Sequence, residues 1–164
     1  MLSDLDRAVE VVNTALALNW TWSADDFDRF AAAVGWTVTE RFEHGATLDT
    51  DLSGPSCDAN AFISEGTCNY VSFQVIKSDE SESVLDGFAE LSDLLLVDLG
   101  EPTWRRPGAT PKIRWDLPTA VVFVCTLETL VYLRIVNPEY QREQDHFDEV
   151  VIPWMQANQT DDEL

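Results

Sequence analysis

Arg105, Arg106, Lys112 and Arg114 fall within LGEPTWRRPGATPKIRWDL, residues 99–117, and are four of only ten basic residues in a chain with thirty acidic ones. Cations clustered on so acidic a chain could hold an anionic ligand, or could neutralise neighbouring carboxylates. The second outcome is the simpler one, because no Gly-rich phosphate loop accompanies the cluster. Without such a loop or a basic majority, the segment does not read as a nucleic-acid interface. Arg114 alternates with Ile113 and Trp115, which suits an outward-facing strand residue.

The other residues able to do chemistry are sparse. The two histidines are His44, beside the turn residue Gly45, and His146, next to Asp148 and Glu149. No C-x-x-C, H-E-x-x-H or D-x-D-x-D-G calcium loop is present, so no metal ligand set is expected. No nucleophile elbow supports a Ser–His or Cys–His pair. Glu40 and Glu43 sit at a strand end, where solvation is the default. The expectation is a protein that is not an enzyme and uses no cofactor. The cysteines, Cys57, Cys68 and Cys125, are odd in number and fit a reducing cytoplasm. Cys57 and Cys68 are expected on opposite faces of one hairpin, unable to pair.

The elements that must position these residues follow from composition and periodicity. The chain has 164 residues, a formal net charge of -20 and 45% apolar residues. That is enough for one domain with a real core, here 1–158 with a frayed tail at 159–164. The charge repels nucleic acid and anionic membranes. The N-terminus lacks a signal peptide's basic start, and no apolar run is long enough to span a bilayer.

Ser3 caps a first helix with Leu5, Ala8, Val12, Ala15 and Leu16 on one face. Ser23 and Asp26 resemble a capping box for a second helix with Phe27, Phe30, Ala31 and Val34 inward, stopped by Gly35. Strands follow in "WTVTERF", "ATLDTDL", 57–63 and 67–76. A three-residue loop, Ser64-Glu65-Gly66, would set Ala59 opposite Val71 and Cys57 opposite Phe73. A long helix with Val84, Leu85, Phe88, Leu91, Leu95 and Leu99 inward ends at Gly100. Strands at 103–106, 111–116, 119–126 and 130–136 precede a last helix with Tyr140, Phe147, Val150 and Val151 inward, which Pro153 should kink or end.

Residues 34–52 and 99–117 align without a gap at an offset of 65, bringing Gly35 onto Gly100, Arg41 onto Arg106 and Leu48 onto Ile113. With the matching element order, this reads as an internal duplication, about 24–76 and 82–136. The fold expected is α+β: two related helix–antiparallel-strand halves forming sheets, with helices on the outer faces.

The stretches "LNWTWSADDFDRFAAAVGW", "ATLDTDLSG", "LGEPTWRRPG", "IRWDL" and "VYLRIVNPEY" resemble a family of small uncharacterised actinobacterial proteins, a domain of unknown function, over residues 17–141. The resemblance implies an immunity-type protein or an accessory partner of secreted toxins. The element order is also similar to secretion chaperones of the Tir-chaperone and YbjN type. No catalytic residue is carried over.

The function expected is binding and neutralisation of a cognate secreted toxin through an acidic surface, with a basic protein domain as partner. The alternatives are a secretion chaperone for a type VII or related substrate, and a small-molecule binder or enzyme. Nucleic acid and membrane are not expected as partners, and the chain is expected as a monomer or homodimer. Residues 1–100 hold nineteen of the thirty acids and four of the ten bases. The candidate partner-binding residues are therefore Asp49, Asp51, Asp58 and Glu65 on the first sheet, and Asp79, Glu80 and Glu82 in the connector.

Overall fold

The computed structural model describes residues 3–52 and 58–162. Cys57, and with it the expected pairing opposite Phe73, lies outside the described residues. In chain order the elements are α1 (Asp4–Ala17), α2 (Ala24–Val34), β1 (Thr37–Phe42), β2 (Gly45–Asp49), β3 (Asp58–Ser64), β4 (Thr67–Lys77), α3 (Ser81–Leu99), β5 (Trp104–Arg106), β6 (Lys112–Asp116), β7 (Val121–Leu127), β8 (Leu130–Val136), α4 (Pro138–His146) and α5 (Ile152–Asp162). A five-residue π turn, Phe147–Val151, joins the last two helices.

Local chemistry sets the first boundaries. The Ser3 side chain accepts from the Asp6 N–H, and the Ser23 side chain from the Asp26 N–H. Gly35 stops α2 in the left-handed region at φ 78°. Each half of the chain is an antiparallel meander, β1–β4 and β5–β8. The halves join through β4 and β8 into one eight-stranded sheet of order β1-β2-β3-β4-β8-β7-β6-β5. The expected α+β fold of two helix-plus-strand halves is therefore present, as one continuous sheet in place of separate ones.

Alternation divides the sheet into two faces. Leu48, Phe73, Trp115, Leu133 and Ile135 point to one face and are buried against Val11 and Val12 of α1, Phe27 and Phe30 of α2, and Leu91 and Leu95 of α3. Trp20 and Trp22 stack at 4.2 Å on this side, and the Trp22 indole donates to the Thr119 carbonyl. Leu85, expected inward, is 40% exposed. The second face carries a smaller cluster of Val121, Phe123, Cys125 and Val136, with Tyr70, Tyr132 and Tyr140.

Two expected registers need correction. Ala59 faces Phe73 and Ala61 faces Val71. The β3–β4 link is the two-residue turn Glu65-Gly66, at φ 53° and 78°, as a tight hairpin with both central residues left-handed requires. The register shifts after Phe62, leaving Asn69 bulged from β4. A shift of two residues preserves the inward faces of Ala59, Val71 and Phe73, but the Asn69 bulge reverses the alternation and turns Cys68, expected on the other face, into the main core. The gap-free alignment also slips. Counted from the β3–β4 and β7–β8 turns, the pair Asn60–Ser72 corresponds to Phe123–Arg134 and the pair Ala59–Phe73 to Val122–Ile135, which brings Leu48 onto Trp115. Trp115, not Ile113, occupies the place of Leu48, because Phe42 and Gly45 are linked by two residues and Arg106 and Lys112 by five.

Gly45 is fixed by close approach: a Cβ there would lie 2.6 Å from the Ala61 carbonyl oxygen. Gly45→Ala is expected to destabilise the fold by about 1–3 kcal/mol, seen as a lower urea midpoint at unchanged m-value. A midpoint equal to the parent's would show that β2 and β3 do not pack this closely.

Candidate binding surfaces

The seven acids predicted to meet a partner do not form one patch. Asp49, at the end of β2, faces Asp58, at the start of β3, and both are exposed. Asp79, Glu80 and Glu82 are exposed where β4 runs into α3, toward that same end of the sheet. Glu65 lies at the opposite end of β4, an eleven-residue strand that spans about 35 Å. There it lines a hollow of about 320 Å³ with Glu139 and Glu143 of α4. Asp51 serves the scaffold: its carboxylate accepts from Arg7 Nε at 2.7 Å and from the Trp36 indole at 2.8 Å. Burial alone would raise the Asp51 carboxyl, but these bonds outweigh it and hold the group below the ordinary carboxylate range.

Asp26 was read from sequence as a helix-start acid, and its burial was missed. The carboxylate accepts from the Thr21 hydroxyl at 2.7 Å, the Thr21 N–H at 2.6 Å and Arg29 at 2.6 Å. It does not reach back to Ser23 as a capping box would. The Thr21 hydroxyl, then the Thr21 N–H, against the cost of burial, and Arg29 hold its pKa below the ordinary value. The signal available in sequence was its place directly before Phe27 on the apolar side of α2.

The basic segment has a divided role. Arg114, expected outward, lies on the second face beneath α4. Its guanidinium donates to both Asp145 oxygens at 2.9 and 2.8 Å and to Asp116 at 2.9 Å. This two-pronged pair clamps α4 to β6. Arg105 reaches Glu101 only at 3.9 Å. Arg106 donates to the Thr110 carbonyl. Lys112 sits 4.6 Å over the Phe123 ring.

Beyond that clamp the C-terminal helix is weakly held. The π turn precedes Pro153, and the Ile152 N–H reaches back to Phe147 O; a widened turn of this kind makes room for the proline ring. The helix therefore continues to Asp162. Phe147 and Val150, expected inward, are 44% and 52% exposed, and Trp154 and Met155 are 65% and 48% exposed. Glu139, Glu143, Asp148 and Glu149 are exposed acids on the same helical segment.

Among the described residues no group of three or more His, Cys, Asp and Glu is placed to hold a metal ion. His44 is exposed in the β1–β2 link, and His146 ends α4. Cys68 and Cys125 are buried free thiols. Burial, reinforced by Asp26, pushes the Cys68 thiol up to about 12, and burial also raises Cys125.

Two outcomes follow. At pH 8 Cys68 stays unalkylated by iodoacetamide while the protein is folded and reacts once urea unfolds it; rapid labelling of the native protein, mapped by peptide mass, would contradict the burial. The depressed carboxyls of Asp26, Asp51 and Asp145 contribute stability above the unfolded value near 4, lost as pH falls through their folded values. Asp26→Asn should cost about 1.5–3 kcal/mol at pH 7 and flatten the fall in stability below about pH 4. A variant that loses stability with acid as steeply as the parent would remove Asp26 from that account.

No curated protein and no solved structure matches this chain. A match to a family of unknown function, DUF6301, spans residues 6–137, from the start of α1 to the residue before α4. It takes in all eight strands and leaves the C-terminal helix outside, and on its extent the chain belongs to the DUF6301 family.

Proposed function

We propose that the protein is an immunity-type protein of an actinobacterial cytoplasm, which binds and blocks a cognate toxin domain with a basic surface. The observation that supports this reading best is the C-terminal helix. Trp154, Phe147, Met155 and Val150 are large apolar side chains left in solvent, and exposed acids alternate with them along the helix. Aromatic anchors ringed by polar residues are the composition of energetically dominant interface positions. Acids around them steer a basic partner and raise its on-rate. Asp49, Asp58, Asp79, Glu80 and Glu82, exposed toward one end of the sheet, add to that field at longer range, whereas Asp51 is tied to Arg7 and Trp36.

A chaperone-type reading draws on the same apolar row, with an extended or helical client segment laid against it. Salt distinguishes the two, because a client held by apolar burial associates with little dependence on ionic strength.

The test is capture of the partner from the native host by the parent protein and by Trp154→Asp with Phe147→Asp, followed by stopped-flow association. The immunity reading predicts a basic partner lost from the double variant, with an on-rate falling about tenfold or more between low and high salt. An acidic or salt-insensitive partner would favour the chaperone reading. A partner retained equally by the variant would remove the helix from the interface.

A further inference from the structure

We propose that the second face of the sheet holds a binding site for a small oxyanion-bearing molecule, a carboxylate or phosphate of about one ring in size, between Lys112, Arg134 and the C-terminal helix. The proposal rests on Lys112 and Arg134, neither of which enters the protein-binding reading, and either reading can fail without the other.

Arg134 is the centre of the site. It lies on β8 opposite Ser72, in the middle of the joint between the two halves. Its guanidinium sits 4.4 Å over the Tyr70 ring and 5.8 Å from the Tyr132 ring. The rings restrict its orientation, and its Nε is buried without a hydrogen-bond partner. A buried unmet donor costs about 1–3 kcal/mol, more when the group is charged. Such a donor in a native structure calls for an explanation.

Carboxylates are abundant in this chain, yet among the described residues no ion pair to Arg134 or Lys112 is formed. Carboxylates pair instead with cations elsewhere, among them Arg7, Arg29, Arg41 and Arg114. Asp145, the acid of α4 closest in role, is held by Arg114. Lys112 and Arg134 instead line one cleft of about 160 Å³ under α4, with Phe123 and Tyr140 as aromatic walls, Gln144 as a polar edge and the exposed Asp148 at its margin. A dry cavity of about 150 Å³ holds a benzene-sized molecule. Two cations on the same largely polar cleft, beside the Tyr140 ring, suit an anion carried on a small body.

Arg134 also forms the wall of a second hollow, of about 230 Å³, lined by Ser72, Gln74 and Tyr132. There the Gln74 Oε1 is buried and lacks a donor. Gln74 and Arg134, neighbours in the lining of this hollow, thus each keep one unmet polar atom on the second face. The chain's -20 charge opposes anions at long range, but at physiological salt it is screened beyond about 8 Å.

The test follows the Arg134 Nε–H resonance in the ¹⁵N-labelled full chain, assigned with Arg134→Lys, during separate titrations with inorganic phosphate and with benzoate at constant ionic strength. At least one probe should shift it saturably with a dissociation constant of about 10 mM or tighter. Saturation by benzoate alone assigns a carboxylate, and by phosphate alone a phosphate ester. Lys112→Gln should weaken that binding about tenfold or more, while Arg142→Gln, an exposed cation outside the cleft, leaves it unchanged. No saturable shift with either probe, or equal affinity in Lys112→Gln, overturns the site.

Discussion

The β4–β8 ladder carries the structure. Each half alone is a four-stranded meander, with one edge strand, β4 or β8, too apolar to leave in water. Val71, Phe73 and Val75 on β4 and Val131, Leu133 and Ile135 on β8 are each at most 2% exposed. Pairing the two strands antiparallel removes both edges at once and puts these side chains into one continuous apolar face. α1, α2 and α3 then need cover only that face. The outer edges, β1 and β5, carry Glu40, Arg41, Arg105 and Arg106, charged residues of the kind that discourage further strand pairing.

The same joint explains why the second face is different in kind. With three helices on one side, the other is left to a single C-terminal helix, clamped by Arg114 to Asp145 and by the packing of Tyr140 near Tyr70 and Phe62. Past the π turn the helix departs from the sheet and its apolar side chains meet solvent. The scaffold is thus closed on one face. On the other it offers a cationic, aromatic-walled cleft and an exposed apolar helix, the two places where a ligand or partner would complete it.

What the sequence disclosed and what it hid divides along physical lines. Ser3, Ser23, Gly35 and Gly100 act within one turn of backbone, so their residue types announce the helix ends. Strand faces were legible because alternation survives any shift of two. Register was not, because the Asn69 bulge and the unequal β1–β2 and β5–β6 links have no local signature. Phe147 and Val150 were misplaced because periodicity shows an apolar face without showing that anything covers it. Asp26 and Arg114 owe their surroundings to residues distant in sequence or off the motif, Thr21 for one and Asp145 for the other. Arg134 escaped notice inside "VYLRIV", although a single cation alternating with Tyr132 and Val136 on one strand face was the available sign. The predicted acids were chosen by charge density alone, and charge density does not say that Asp51 is spoken for or that Glu65 lies far from the connector.

Native-state hydrogen exchange resolved by residue tests the central claim, that the joint makes one cooperative unit of two halves. The amides of β4 and β8 should exchange only through global unfolding, with one common free energy and the same denaturant dependence, while those of 152–162 exchange earlier. If β1–β4 stay protected under conditions where β5–β8 have already opened, or the reverse, the halves are independent and the β4–β8 ladder does not carry the fold.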